Sequence, residues 1–139
     1  KMLTVDDYLT HWKIHYPQAE VPDDELTDEM QQDARVTVDL ANELLERFGK
    51  ERDIASGWRP VEVNRLIKGA AVHSNHCLCR AVDLVDPGNT LDGWLNANPE
   101  ILDEIGLWRE VGAKTPGWVH VQIVPHASWM PGRSRTFQP

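Results

Sequence analysis

His76-Cys77-Leu78-Cys79-Arg80-Ala81-Val82-Asp83, taken together with Trp118-Val119-His120, decides how the rest of the chain is read. A histidine and an aspartate stand with six residues between them, and a second histidine follows Asp83 by 37 positions. Together they offer two imidazoles and one carboxylate. That is the protein ligand set of a catalytic zinc site, which keeps its fourth position for water. For a lone histidine the ordinary explanation is a hydrogen-bonded packing residue, and Asp83 alone reads as a turn cap. Three such residues can instead hold a metal together, and if they do the protein is a metal-dependent hydrolase.

The flanking residues place these ligands on strands. Residues 81–85 alternate so that Asp83 and Val85 share one face while Val82 and Leu84 share the other. Residues 118–124 form the clearest strand, with His120 and Gln122 on one face. His76 comes from the loop before the first of them. Further out, residues 4–16 have helical character (Val5, Tyr8, Leu9, Trp12) and stop at Pro17, and residues 17–27 are an acidic, turn-rich connector. Thr27 caps a long helix in which Met30, Ala34, Val38, Ala41, Leu44, Leu45 and Phe48 recur near the 3.6 period, with Gly49 as its stop. Residues 52–57 read as a short strand entering a turn. Pro60 opens a brief helix that ends near Gly69. Residues 86–89 form a turn, and a helical region over 90–105 breaks at Asn98-Pro99. The tail after Pro125 reads as irregular. Helices and strands mix without a βαβ rhythm, so the expected class is α+β. The expected organisation is one domain over 1–139, with 1–26 as an N-terminal helical extension and acidic connector.

Composition narrows the function. The chain of 139 residues is one domain in size. A formal net charge of −8 argues against nucleic acid or an anionic membrane as partner. No run approaches the ~18 apolar residues of a membrane span. The first residues carry no apolar signal region, so the expected location is the cytoplasm before release, and the expected state is a monomer. Two cysteines one residue apart do not make a disulfide framework.

Ser56-Gly57-Trp58-Arg59-Pro60 with Asn64, then Ser74 and His76 with Asp83, then Trp118-Val119-His120, resemble the M15 family of zinc D-alanyl peptidases. Its relatives include D-Ala-D-Ala carboxypeptidases and dipeptidases, phage L-alanyl-D-glutamate endolysins and, by fold, the amino-terminal signalling domain of hedgehog. The resemblance runs from about Thr27 onward, and Gly106-Leu107-Trp108 with Glu110, and Thr115-Pro116-Gly117-Trp118, are most similar to phage-encoded members. It implies a small α+β domain with a central antiparallel sheet, helices on one face and one Zn2+. The implied activity is hydrolysis of a peptidoglycan stem peptide near a D-amino acid, in a phage lysis setting. A catalytically inert zinc-binding domain, structural or recognition-bearing, is the alternative on the same fold.

The resemblance also assigns roles. His76, Asp83 and His120 would hold zinc. Arg59 matches an arginine that stabilises the oxyanion, a task suited to a permanently charged, forked donor; a surface arginine offsetting acidic charge is the plainer reading. Ser74 matches a serine that contacts substrate, and equally suits a loop cap. The family's acidic residue three before the last histidine is replaced by Gly117, which cannot act as a base. Glu110, carried by a loop, is the favoured substitute, with His126 and His73 as other proton carriers; Asp103 and Glu104 read as solvated helix residues. Cys77 and Cys79 with His73 and His76 offer a rival closed zinc site, although a one-residue gap strains a tetrahedron, and buried thiols are the better reading. Relatives commonly carry glycine where Cys79 stands. Of the six tryptophans, Trp12 and Trp94 are expected in the core. Trp58, Trp118 and Trp108 are expected to flank the site, with Trp118 against substrate. Arg133-Ser134-Arg135 is expected to be a solvated terminus.

Overall fold

Tyr8 ties the beginning of the chain to its centre. In the computed structural model, which describes residues 2–139, α1 (Val5–Thr10) is capped by the Thr4 side chain and buries Tyr8 completely. The Tyr8 hydroxyl donates to Ala81 O at 2.6 Å, which satisfies its polar end inside the core. A 3-10 turn over His11–Ile14 follows. The longest helix, α2 (Asp28–Phe48), starts where the sequence places it, with Thr27 Oγ1 accepting from Met30 N at 3.1 Å. It stops at Gly49, whose φ of 85° suits a residue without Cβ. Its Ala34, Val38, Ala41, Leu44 and Leu45 are buried in the core cluster.

Next come β1 (Ile54–Ser56), α3 (Val61–Leu66), a 3-10 turn over Asn75–Leu78 and β2 (Ala81–Val85). The helix after Pro60 therefore ends before Gly69. Asp86 is fully buried and accepts from Leu91 N and Asp92 N, both at 2.9 Å, so the turn at 86–89 anchors the first amides of α4 (Thr90–Ala97). The helix breaks at Asn98, as a residue before proline leaves the helical region, and Asn98 Nδ2 donates back to Trp94 O at 2.9 Å. The chain continues through α5 (Glu100–Ile105), β3 (Trp108–Glu110), β4 (Trp118–Gln122) and β5 (Thr136–Phe137).

The five strands run in the order β1-β2-β4-β3-β5. The molecule is a small α+β domain, but the sheet is mixed rather than antiparallel, because β5 pairs in parallel with β3. The tail is therefore not irregular throughout. It is held by Arg109, whose side chain is 1% exposed. Its guanidinium pairs with Asp92 at 2.6 Å, donates to Asn96 and reaches Thr136 Oγ1 at 3.2 Å, joining α4 to β5. Arg135 is likewise no solvated terminus. It stacks 4.1 Å over Trp108 and 5.2 Å over Trp129, and pairs with Asp103 at 2.8 Å.

Val82, Leu84, Val119 and Val121 join the helices in one core cluster. The alternation that buries them turns Asp83 and His120 to the opposite face. Trp12 and Trp94 pack at the edge of that core, partly buried. No helix among the described residues is long and apolar enough to cross a membrane.

Candidate metal centre

β2 and β4 pair antiparallel with Asp83 directly opposite His120. Cross-strand neighbours on one face come within about 5 Å at Cβ, so the register alone brings the two side chains together. His76 arrives from the 3-10 turn before β2. That turn is capped by Ser74 Oγ, which accepts from His76 N at 3.1 Å. Ligand atoms of His76, Asp83 and His120 all lie within 4.8 Å of one another.

The carboxylate of Asp83 sits at the middle. Its Oδ1 is 2.8 Å from His120 Nδ1 and 3.3 Å from His76 Nε2, while Oδ2 is 3.2 Å from Arg59 Nη2. Burial opposes the charge on Asp83, but the field of His76 together with the hydrogen bond and field of His120 outweighs it and holds the carboxyl well below the usual carboxylate range. Burial pushes His76 down, against the pull of Asp83. His120 is raised: burial works against its charge, and the hydrogen bond to Asp83 more than offsets it, with Gln122 and Glu110 adding.

Each imidazole has one nitrogen tied to the protein. Nδ1 of His76 lies 2.9 Å from Gly57 O, a pure acceptor, so Nδ1 carries the proton and Nε2 keeps its lone pair. That Nε2 is buried and makes no hydrogen bond, despite its 3.3 Å approach to Asp83. A buried nitrogen without a donor, aimed at a carboxylate and a second imidazole, fits a metal ion. On the other ligand, Nε2 of His120 lies 2.8 Å from Gln122 Oε1, and Gln122 Nε2 donates to Val124 O at 2.9 Å. The second contact fixes the amide, so Oε1 must accept and Nδ1 of His120 is the atom left facing Asp83. Gln122 is 3% exposed. Sequence reasoning placed it on the His120 face but gave it no role; its position two residues on, in the same strand, was the available signal.

A cavity of about 340 Å3 opens over these groups, lined among others by Arg59, Ser74, Glu110, Trp118 and the three ligand residues. Arg59, Glu110, Ser74, Trp118 and the three ligand residues thus border one space. Arg59 is fixed by Ser56, to which its Nε donates at 2.9 Å. Ser74 both lines the cavity and caps the His76 turn. Glu110 sits on β3 rather than on a loop. Trp108 pairs with Gln122 across β3 and β4, so Glu110, two residues on, shares the His120 face. Burial raises its carboxyl, Asp83 adds to the rise, and His120 and Lys114 pull it back.

The other candidates stand elsewhere. His126 stacks on Phe137 at 4.8 Å, and His73 is exposed. Asp103 and Glu104 pair with Arg135 and Arg47. Trp108 packs edge-on against Trp129 at 5.1 Å. Cys77 and Cys79 are free and belong to no metal-binding group among the described residues. Cys79 is fully buried at φ 63°, a left-handed conformation that glycine adopts without strain, at a position where a small residue was expected.

A Peptidase M15 family model matches residues 19–122, three-quarters of the chain and all three ligand residues. The chain belongs to the Peptidase M15 family. As an M15 member it is placed among metallopeptidases, which are hydrolases. The match spans β1 through β4; His11, Trp12 and Tyr16 lie before it and β5 after it. Neither a curated protein nor a solved structure matches the chain significantly.

Proposed function

We propose that this M15 protein is a zinc-dependent peptidoglycan peptidase, which hydrolyses an amide bond of the stem peptide near a D-amino acid. The observation that carries this reading is the convergence of His76, Asp83 and His120 within 4.8 Å on the polar face of the sheet. His76 through Nε2, Asp83 through its carboxylate and His120 through Nδ1 are the zinc ligands. Zinc held by such a set supplies Lewis acidity, which acidifies a water to a pKa of about 7 and polarises a carbonyl.

The chain's own groups do the rest. Arg59, held by Ser56 and Asp83, presents fixed positive charge where the carbonyl oxygen gains negative charge. Glu110, on the same face as His120, takes a proton from the attacking water and returns it to the leaving amine. Ser74 and Trp118 border the cavity and contact the peptide. The setting proposed is phage lysis, with synthesis in the host cytoplasm and release to the wall through a separate pore. The D-Ala-D-Ala carboxypeptidase and endolysin types both fit this chemistry.

The test is zinc content by mass spectrometry together with release of products from purified peptidoglycan. One zinc per chain, lost in His120→Ala, with peptide-bond cleavage by the wild type, is the expected result. Zinc bound without cleavage of any muropeptide would leave the inert zinc-binding domain as the reading. Zinc retained without His120 would overturn the ligand set.

A further inference from the structure

A second cavity, of about 330 Å3, adjoins the metal centre. It shares Arg59, Ile67, Asp83 and Trp118 with the cavity over the ligands, so the two are halves of one cleft that meet at Arg59 and Trp118. Its outer wall is His11, Trp12 and Tyr16, contributed by a segment that precedes the family match. Trp58, mostly buried in the core, and Trp118 line it as well, so four aromatic residues border a space small even for a ligand pocket.

The two halves differ in charge. Lys68 and Lys114 line only the half that contains Glu110 and the ligands, where they suit carboxylates of a stem peptide. Among the described residues, the aromatic half has Arg59 at the junction as its only lysine or arginine, paired there with Asp83, and is also lined by His11 and Ser56. It suits a neutral unit about one ring in size, with flat apolar faces and a polar rim. That describes a pyranose, whose apolar faces lie against aromatic rings while its hydroxyls meet a polar rim.

The wall is also set in advance. Tyr8 O accepts from Trp58 N at 3.1 Å while its hydroxyl is bonded to Ala81 O, so the segment carrying Trp12 is clamped to the loop carrying Trp58. A preformed aromatic wall binds without the cost of ordering a loop.

We propose that this aromatic half is a saccharide subsite, which takes the amino sugar next to the stem peptide while the peptide lies over the metal centre. The assignment rests on the peptidoglycan reading of the active site. Its first test needs no hydrolysis: the N-acetylglucosaminyl-N-acetylmuramyl disaccharide is titrated into the protein and the indole N–H signals of the six tryptophans are followed by NMR. The signals of Trp12, Trp58 and Trp118 are expected to shift saturably, while that of Trp94, packed on Phe48, stays in place. No shift, or a shift confined to other tryptophans, overturns the subsite.

The second test compares kcat/KM for a disaccharide-linked stem peptide with that for the same peptide free. Wild type is expected to prefer the linked substrate, and half-buried Tyr16→Ala to reduce that preference by up to about tenfold, the worth of one aromatic contact. An equal loss on both substrates would make the occupant a peptide side chain. Cleavage without any preference for the sugar would remove the subsite and leave the peptidase reading intact.

Discussion

The carbonyl oxygen of Gly57 accepts a hydrogen bond from Nδ1 of His76 at 2.9 Å, and Gly57 is also where the N-terminal helix lands. A Cβ at position 57 would run into the backbone carbonyl of Tyr8 and touch the Tyr8 ring at 3.1 Å. One missing side chain thus lets α1 close over the core and keeps the His76 acceptor in place. Gly57→Ala is expected to destabilise the fold by about 1–3 kcal/mol, the usual cost of forcing extra volume into a packed region. It should weaken metal binding as well, because the carbonyl that sets the His76 proton moves with it. Denaturant unfolding of the metal-free protein and chelator competition on the loaded protein check the two effects separately. A variant with wild-type stability would show that α1 does not depend on this contact.

Gln122 should matter to the metal without touching it. Its amide is fixed by Val124 O, and its oxygen holds the proton of His120 on Nε2. Gln122→Leu removes the acceptor at similar volume and is expected to lower zinc affinity by about 10–100-fold, the usual effect of losing a hydrogen bond behind a ligand. Gln122→Glu keeps an oxygen for His120 and should recover most of that loss. Equal affinity in Gln122→Leu and wild type would mean that His120 is oriented by Asp83 alone.

How much of this was legible in the sequence depended on the range of the forces involved. β2, β4 and α2 could be read because alternation, the 3.6 period and the Thr27 and Gly49 caps are local signals. Once two strands were placed, the Asp83–His120 pairing followed from their faces. β3 and β5 were not read, because three and two residues carry no period; the equally short β1 was read with the turn that follows it. β3 and β5 exist because buried Arg109 connects Asp92, Asn96 and Thr136, three partners scattered along the sequence. For the same reason Glu110 was expected on a loop, and Arg135 in solvent rather than between two tryptophans. Spacing put Gln122 on the His120 face, but its role lies in the direction of one amide, which spacing alone does not give.

The cysteines should be inert toward the metal. Burial pushes the Cys79 thiol up to about 12, and Asp33 and Cys77 add to the rise. Burial raises Cys77 too, although Arg59 pulls it back. Since thiolate is the reactive and metal-binding form, iodoacetamide at pH 8 should label Cys77 slowly and Cys79 only after unfolding. Zinc should stay bound throughout, as followed by mass spectrometry. Zinc released in step with labelling of Cys77 would instead point to a cysteine-based site.

Glu110 predicts where the acid limb of the pH profile falls. Burial raises its carboxyl above the ordinary glutamate value, with Asp83 adding and His120 and Lys114 pulling back. A general base works only when deprotonated, so kcat should fall as pH drops through a value higher than the ~4.3 of a free glutamate. Glu110→Gln should lose about 10²–10⁴ in kcat, the range for a positioned base, and the residual activity should lack this limb. Zinc content should remain one per chain, since Glu110 is not among the three grouped ligands. That separates a lost base from a lost metal. A loss below tenfold with the acid limb unchanged would place the proton transfer on another group, and His126, which shares Phe137 as a ring neighbour with His120, would be the next residue to substitute.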